Sequence, residues 1–223
     1  MAHLIHVWHE RNGWSHKVLP ALADSLDLGR VHNSQISTLR NGKLASPGPE
    51  VFLALSQINH VLYQGIGEIR DHLSNDYPEL LKVLVDSSIP LVGDDDKPLS
   101  AGDLFEIFIG LKPLPSSFDW FIEEDEAAIL SAALSDYLCN QRSWRQCKEE
   151  VMSAYPVQKL NRRERFAEVM AGIRDYTAEE LDGELLDLFA THRTITSSEL
   201  QTADDFLKDL RSRALHLRDL ERI

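Results

Sequence analysis

Short polar residues followed three positions later by Glu or Gln recur through the second half of this chain: Ser143 with Gln146, Asn161 with Glu164, Thr177 with Glu180 and Thr196 with Glu199. At this spacing the first side chain accepts from the backbone of the helix it opens while the second reaches back, so each pair predicts a helix N-terminus. Strand-length alternation of β-branched residues is scarce, and only Lys82 to Leu91 reads equally as strand or apolar helix. The expected fold class is all-α. It comprises a small N-terminal module of four to five helices (residues 1–64) and a larger acidic helical domain (65–223). Beyond Gly65-Ile66-Gly67 about seven helices are expected, with proline-containing breaks at 88–98 and 111–117.

Within the first part, Leu4, Ile5, Val7 and Trp8 recur at helical spacing, and Asn12-Gly13 stops that helix. Ser15 caps a second helix running to Leu28, with Val18, Leu19, Leu22, Leu26 and Leu28 on its apolar side. Pro20 predicts a kink or a late start, since it cannot donate an intrahelical bond. Asn33 or Ser34 caps a short polar helix from Gln35 to Asn41, and Gly42 supplies its left-handed exit. After the Pro47-Gly48-Pro49 break a fourth helix runs from Pro49 to Tyr63. At the far end, Ser198 to Arg222 carries Leu200, Ala203, Leu207, Leu210, Ala214 and Leu217 at spacings of three and four, a short seam for packing on its own domain or for a dimer.

The chain has a formal charge of −13, unevenly spread. Residues 1–64 hold five basic and four acidic side chains, so the remainder carries −14. A polyanion would be repelled by the second part and confined to the first, because Lys and Arg contacts to phosphate supply most non-specific affinity. A second basic cluster, Arg142, Arg145, Lys148, Lys159, Arg162, Arg163 and Arg165, reads as a solvated helix face or a contact to flanking DNA. No apolar run approaches the ~20 residues of a membrane span, and His3, His6 and His9 stand where a secretory leader needs a basic start, so a cytoplasmic, soluble protein without membrane contact is expected. A metal site on those histidines would need a further ligand, such as Glu10 or a distant acid, and a solvated or terminal helix face is expected instead; Cys139 and Cys147, eight apart, read as idle thiols rather than a zinc cage or a disulfide framework. With no nucleophile motif, phosphate-cradling loop or paired His-Glu helix, the expectation is no enzyme: no catalytic residue, metal or cofactor. Trp14, Trp120 and Trp144 are expected as buried anchors, whereas an exposed Trp120 beside Phe118 and Phe121 would mark a docking patch.

Ser15 at a helix start, Leu22-Ala23 within it, Ser34-Gln35-Ile36-Ser37, Leu39, Asn41-Gly42-Lys43, Pro49 and Leu53-Ala54-Leu55 together resemble the lambda-repressor/Cro-like (XRE) helix-turn-helix family. The likeness covers residues 15–62, about a quarter of the chain. It departs from the family in a longer turn before Ile36, in Pro20, and in Arg40, where an acidic residue is common. The resemblance implies that Ile36 and Leu39 are core positions of a recognition helix, Gly42 its terminator, and Leu53 and Leu55 the wall behind it. It further implies that Asn33, Ser34, Gln35 and Thr38 face the major groove. Asn and Gln suit adenine edges, and Ser or Thr suits a base or a phosphate. Arg40, Lys43, His16 and Lys17 are then the phosphate contacts that set register. The implied protein is a sequence-specific regulator of transcription acting on double-stranded DNA as a homodimer. Its acidic second part would dimerise, bind a protein partner or sense a signal. The alternative is an adaptor or antitoxin-like protein using the same module for docking.

Overall fold

The computed structural model describes residues 1–29, 31–43, 46–140, 142–196, 200 and 202–220, with side chains to residue 216. Among these the protein is all-α: the ordered elements are α-helices, a single 3₁₀ turn at Ser116–Phe118 and an isolated antiparallel bridge between Val92 and Pro98. The chain divides into two compact units, residues 1–119 and 120–223. The division expected after residue 64 therefore falls elsewhere. Leu73, Leu84, Leu91, Leu99, Leu104 and Phe118 bury themselves in the same core as Leu4, Trp8, Ile36 and Leu55, so Gly65-Ile66-Gly67 is a turn inside the first unit. The charge argument changes accordingly. Residues 1–119 hold nine basic and fifteen acidic side chains, a net −6, so the acidic excess is shared by both units.

In the first unit α1 (Ala2–Asn12) ends where Gly13 takes up a left-handed conformation, as the Asn-Gly pair predicts. Helix α2 (Val18–Ser25) is shorter than the expected Ser15–Leu28. Pro20 is its third residue, where the N–H would have no intrahelical acceptor, so the ring costs no bond there. Helix α3 (Asn33–Arg40) begins earlier than expected because its N-cap is His32, and α4 (Pro49–Gln64) takes its proline in the first turn. Then come α5 (Arg70–Asp76), α6 (Pro78–Asp86) and α7 (Ala101–Phe108). The ambiguous 82–91 segment is thus helix to Asp86 and irregular beyond. That irregular stretch is held by two buried amides. Asn12 accepts from Ile89 N at 2.6 Å and donates to Ile89 O at 3.1 Å. Asn59 accepts from Leu91 N at 2.6 Å and donates to Leu91 O at 2.8 Å and Leu99 O at 3.2 Å. Each satisfies backbone groups that would otherwise be buried unpaired.

The second unit contains α8 (Glu124–Cys139), α9 (Trp144–Ala154), α10 (Leu160–Met170), α11 (Ala178–Thr196) and α12 (Ala203–Leu220) around Leu134, Tyr155, Phe166, Leu185 and Phe206. Two expected caps form: Gln146 accepts from Ser143 N at 3.0 Å, and Thr177 and Glu180 bond reciprocally at 3.1 and 3.2 Å. Two do not. Asn161 lies inside α10, which opens at Leu160, and Thr196 closes α11 by donating to His192 O at 2.8 Å; Glu199 lies outside the described residues. The final helix starts at Ala203, with Leu200 and Thr202 outside it; the expected ends, Ser198 and Arg222, lie outside the described residues. Ala203, Leu207, Leu210 and Ala214 are buried, with α12 packed along α8 in its own unit, while the Leu217 side chain lies outside the described residues. Trp14 and Trp120 are buried and Trp144 is half-buried, and of the Phe118–Phe121 neighbourhood only Phe121 is exposed to any large extent, so no aromatic patch forms around Trp120. No described helix is long and apolar enough to cross a membrane.

Candidate nucleic-acid interface

Helix α3 is eight residues long with one apolar edge. Ile36 is fully buried and Leu39 is 2 % exposed, and the helix packs on α1 and α2. At its far end Gly42 adopts φ +63° and a Cβ there would meet Ala2 at 3.8 Å, so the exit turn needs glycine for its backbone and runs close to the start of α1. Lys43 N returns to Thr38 O at 2.8 Å to close the helix.

Of the residues assigned to the groove, Asn33 and Ser34 are exposed, and Gln35 and Thr38 are half-buried. Gln35 holds its amide oxygen on His32 N at 3.0 Å as part of the N-terminal cap. A bidentate pairing with adenine from Gln35 would have to open that cap, whereas Asn33 is exposed at the helix start. The Thr38 hydroxyl donates to its own helix, 2.8 Å from Ser34 O and 3.0 Å from Gln35 O, which leaves it acceptor capacity only. His32, exposed ahead of Asn33, is a neighbour that sequence reasoning passed over. The signal was Gln35 three residues on, the reciprocal-cap spacing with a histidine in place of Ser or Thr.

The four residues assigned to phosphate are placed differently from one another. His16, Lys17 and Lys43 are exposed, but Arg40 is half-buried, its Nε donating to His6 Nδ1 at 3.2 Å. Arg40, His6 and His16 all lie close enough to act on His9, which draws these side chains of α3, α1 and the approach to α2 to one neighbourhood. His9 itself is 1 % exposed, with Nδ1 2.6 Å from Ile5 O. Burial lowers its pKa to about 4, outweighing the Ile5 bond, and the Arg40 charge depresses it further. His9 is therefore neutral near pH 7, with its proton on Nδ1.

The basic cluster of the second unit is mostly engaged internally. Arg162, 3 % exposed, donates to both oxygens of fully buried Glu184 at 2.8 and 2.6 Å and to Asp187 at 2.7 Å. Arg165 adds bonds to Glu184 at 2.8 Å and Glu180 at 3.1 Å, and Tyr155 donates its hydroxyl to Glu184. Burial pushes the Glu184 carboxyl up, yet the Arg162 and Arg165 guanidiniums outweigh it and hold the group below its ordinary pKa. Arg163 ties down the carbonyls of Met152 and Val157, both at 2.8 Å, and Arg142 pairs with Glu150 at 2.8 Å. Arg142, Arg145 and Lys148 are exposed, as the solvated-face reading expects, whereas Arg162 and Arg165 form an interhelical bolt because carboxylates from α11 face them in space but lie far away in sequence.

The second unit also has an open groove of about 600 Å³, lined in part by Asp136, Tyr137, Asn140, His192 and Arg213. Burial and a bond to Asp209 raise Tyr137 to about 12, burial lowers His192, and Arg213 lies 3.7 Å over the Tyr137 ring while donating to Asp209 at 3.2 Å. Its charged groups are thus substantially engaged with one another.

Residues 1–110 match the family model described as Domain of unknown function (DUF8644), and residues 127–221 match Domain of unknown function (DUF8645). One stretch falls within each structural unit. No curated protein and no solved structure matches the chain.

Proposed function

We propose that the first unit is a DNA-reading module that lays the N-terminal end of α3 into a major groove. The observation that supports this reading is the two-sidedness of α3: Ile36 and Leu39 anchor it in the core while His32, Asn33, Ser34, Asn41 and Lys43 stand in solvent. In this reading Asn33 carries base recognition, Ser34 takes a base or phosphate, and Lys43, Lys17, His16 and the unburied part of Arg40 fix register on the backbone. Gln35 and Thr38 act mainly by shaping the helix start. So few positive groups on a unit of net −6 make a single copy a weak binder, so we assign the active form to a homodimer whose two heads sit about 34 Å apart. Because the α12 seam is buried within its own unit, the dimer would use another surface.

Selection of bound fragments from random double-stranded DNA, followed by footprinting across a salt series, tests the reading. A recurrent palindromic site with a log–log salt slope of about −3 per head is expected, from roughly three phosphate contacts. Absence of any selected sequence would sink it and favour the alternative of an adaptor that uses the same helical module to dock a protein partner.

A further inference from the structure

We propose that Cys139 and Cys147 are a reversible dithiol–disulfide pair that staples the end of α8 to the first turn of α9. The two residues are eight apart in sequence, but the turn between the helices folds back, and the Cys147 thiol donates to Cys139 Sγ at 2.7 Å. A disulfide bond is about 2.05 Å long, so closing it needs a displacement smaller than an atom. Both side chains are buried, at 2 % and 0 % exposure, inside the core formed with Tyr137, Leu138 and Val151, which holds the sulfurs together instead of letting them turn to solvent. Among the described residues no cluster of three or more metal-ligating groups includes either cysteine, which leaves oxidation as the chemistry the pair suits.

The two sulfurs have different roles. Cys147 is the fourth residue of the eleven-residue α9, in its first turn. Cys139 is the last residue of α8, and burial raises its pKa to about 12. Cys139 is thus the poorer initial nucleophile, so Cys147 enters first and Cys139 resolves. With a small-molecule disulfide as oxidant, the Cys147 thiolate attacks one sulfur of that disulfide, forming a mixed disulfide and expelling one thiolate. Cys139, giving up its proton as it attacks, then displaces the second small thiolate from Cys147 Sγ. Overall two protein thiols and one small disulfide become one protein disulfide and two small thiols, with the two protons passing to the expelled thiolates. Because Cys147 is covered, the first attack follows opening of the α8–α9 turn, where Arg142 and Ser143 are exposed.

The test equilibrates the full chain in a series of oxidised-to-reduced glutathione ratios, native and in strong urea, quenches with an alkylating reagent and measures intact mass. The expected result is an intramolecular cross-link, seen as loss of two alkylatable thiols, at an effective thiol concentration at least tenfold higher in the native protein than in urea. In Cys139→Ser a glutathione adduct should accumulate at position 147, and dithiothreitol should reverse both products. Native thiols that stay alkylatable across the series, or close no more readily than in urea, overturn the proposal, as does cross-linking only between chains. The native-versus-urea comparison needs no variant, so it stands even where a serine substitution disturbs folding.

Discussion

The two units solve the same problem, burying polar groups in a helical core, by different means. In the first, side-chain amides do the work: Asn12 and Asn59 hold the irregular backbone between α6 and α7, and His9 is buried neutral. In the second, charges do it: Arg162 and Arg165 meet Glu184 in a site from which water is excluded. The difference bears on function. The first unit leaves Lys17 and Lys43 at the surface for a partner while burying Arg11, whereas the second ties Arg162 and Arg165 up inside. By this contrast the basic segment 142–165, which looks in sequence like the stronger polyanion site, is the weaker one.

The contrast is most sharply exposed by Glu184→Ala, which removes the buried carboxylate shared by Arg162 and Arg165, leaving them Asp187 and Glu180, and is expected to cost the second unit about 3–5 kcal/mol in urea unfolding. If that variant unfolds the first unit equally, the two cores are not separate. The next largest effect concerns His9. Its folded pKa, about 4, lies below the ordinary 6.5, so the unfolded chain takes up a proton that the folded unit refuses. The stabilisation is complete above pH 6.5 and drains away as pH falls towards 4, up to about 3 kcal/mol. In His9→Leu the pH slope of stability over this window should flatten by about one proton; an unchanged slope would mean that another group carries it. Asn59→Ala follows, at roughly 2 kcal/mol, since Leu91 N and the Leu91 and Leu99 carbonyls lose their partner, and faster amide exchange at Leu91 is the local readout. The smallest effects lie on α3. Asn33→Ala should relax preference at one base position by about 1–3 kcal/mol, and Lys43→Ala should weaken all sequences alike and lessen the salt slope by about 0.9, with neither changing the melting temperature much. Equal loss of specificity and of salt dependence in both variants would remove the division between reading and gripping.

Much of the helical architecture was legible in residue spacing. The apolar period of Leu4 to Trp8, the proline at the head of α4 and the Ser143 and Thr177 caps each place an element correctly because they depend on neighbours within one turn. What failed depends on distance in space. The domain boundary moved because Leu73 to Phe118 share a core with α1, which periodicity cannot report: it shows which face of a helix is covered and not by what. The burial of Arg162 and Arg165 escapes sequence spacing for the same reason, since their carboxylates arrive from α11. At the candidate interface, the burial of Ile36 and Leu39 and the exposure of Asn33 agree with what the family resemblance implies. The engagement of Gln35 in the cap was not legible, since histidine at an N-cap is an unusual partner and the eye looks for serine.

The exit turn of α3 has a practical corollary. Gly42 lies against Ala2, so any polypeptide fused ahead of Met1 emerges next to the face assigned to DNA. An affinity handle placed there would crowd that face and mimic loss of activity.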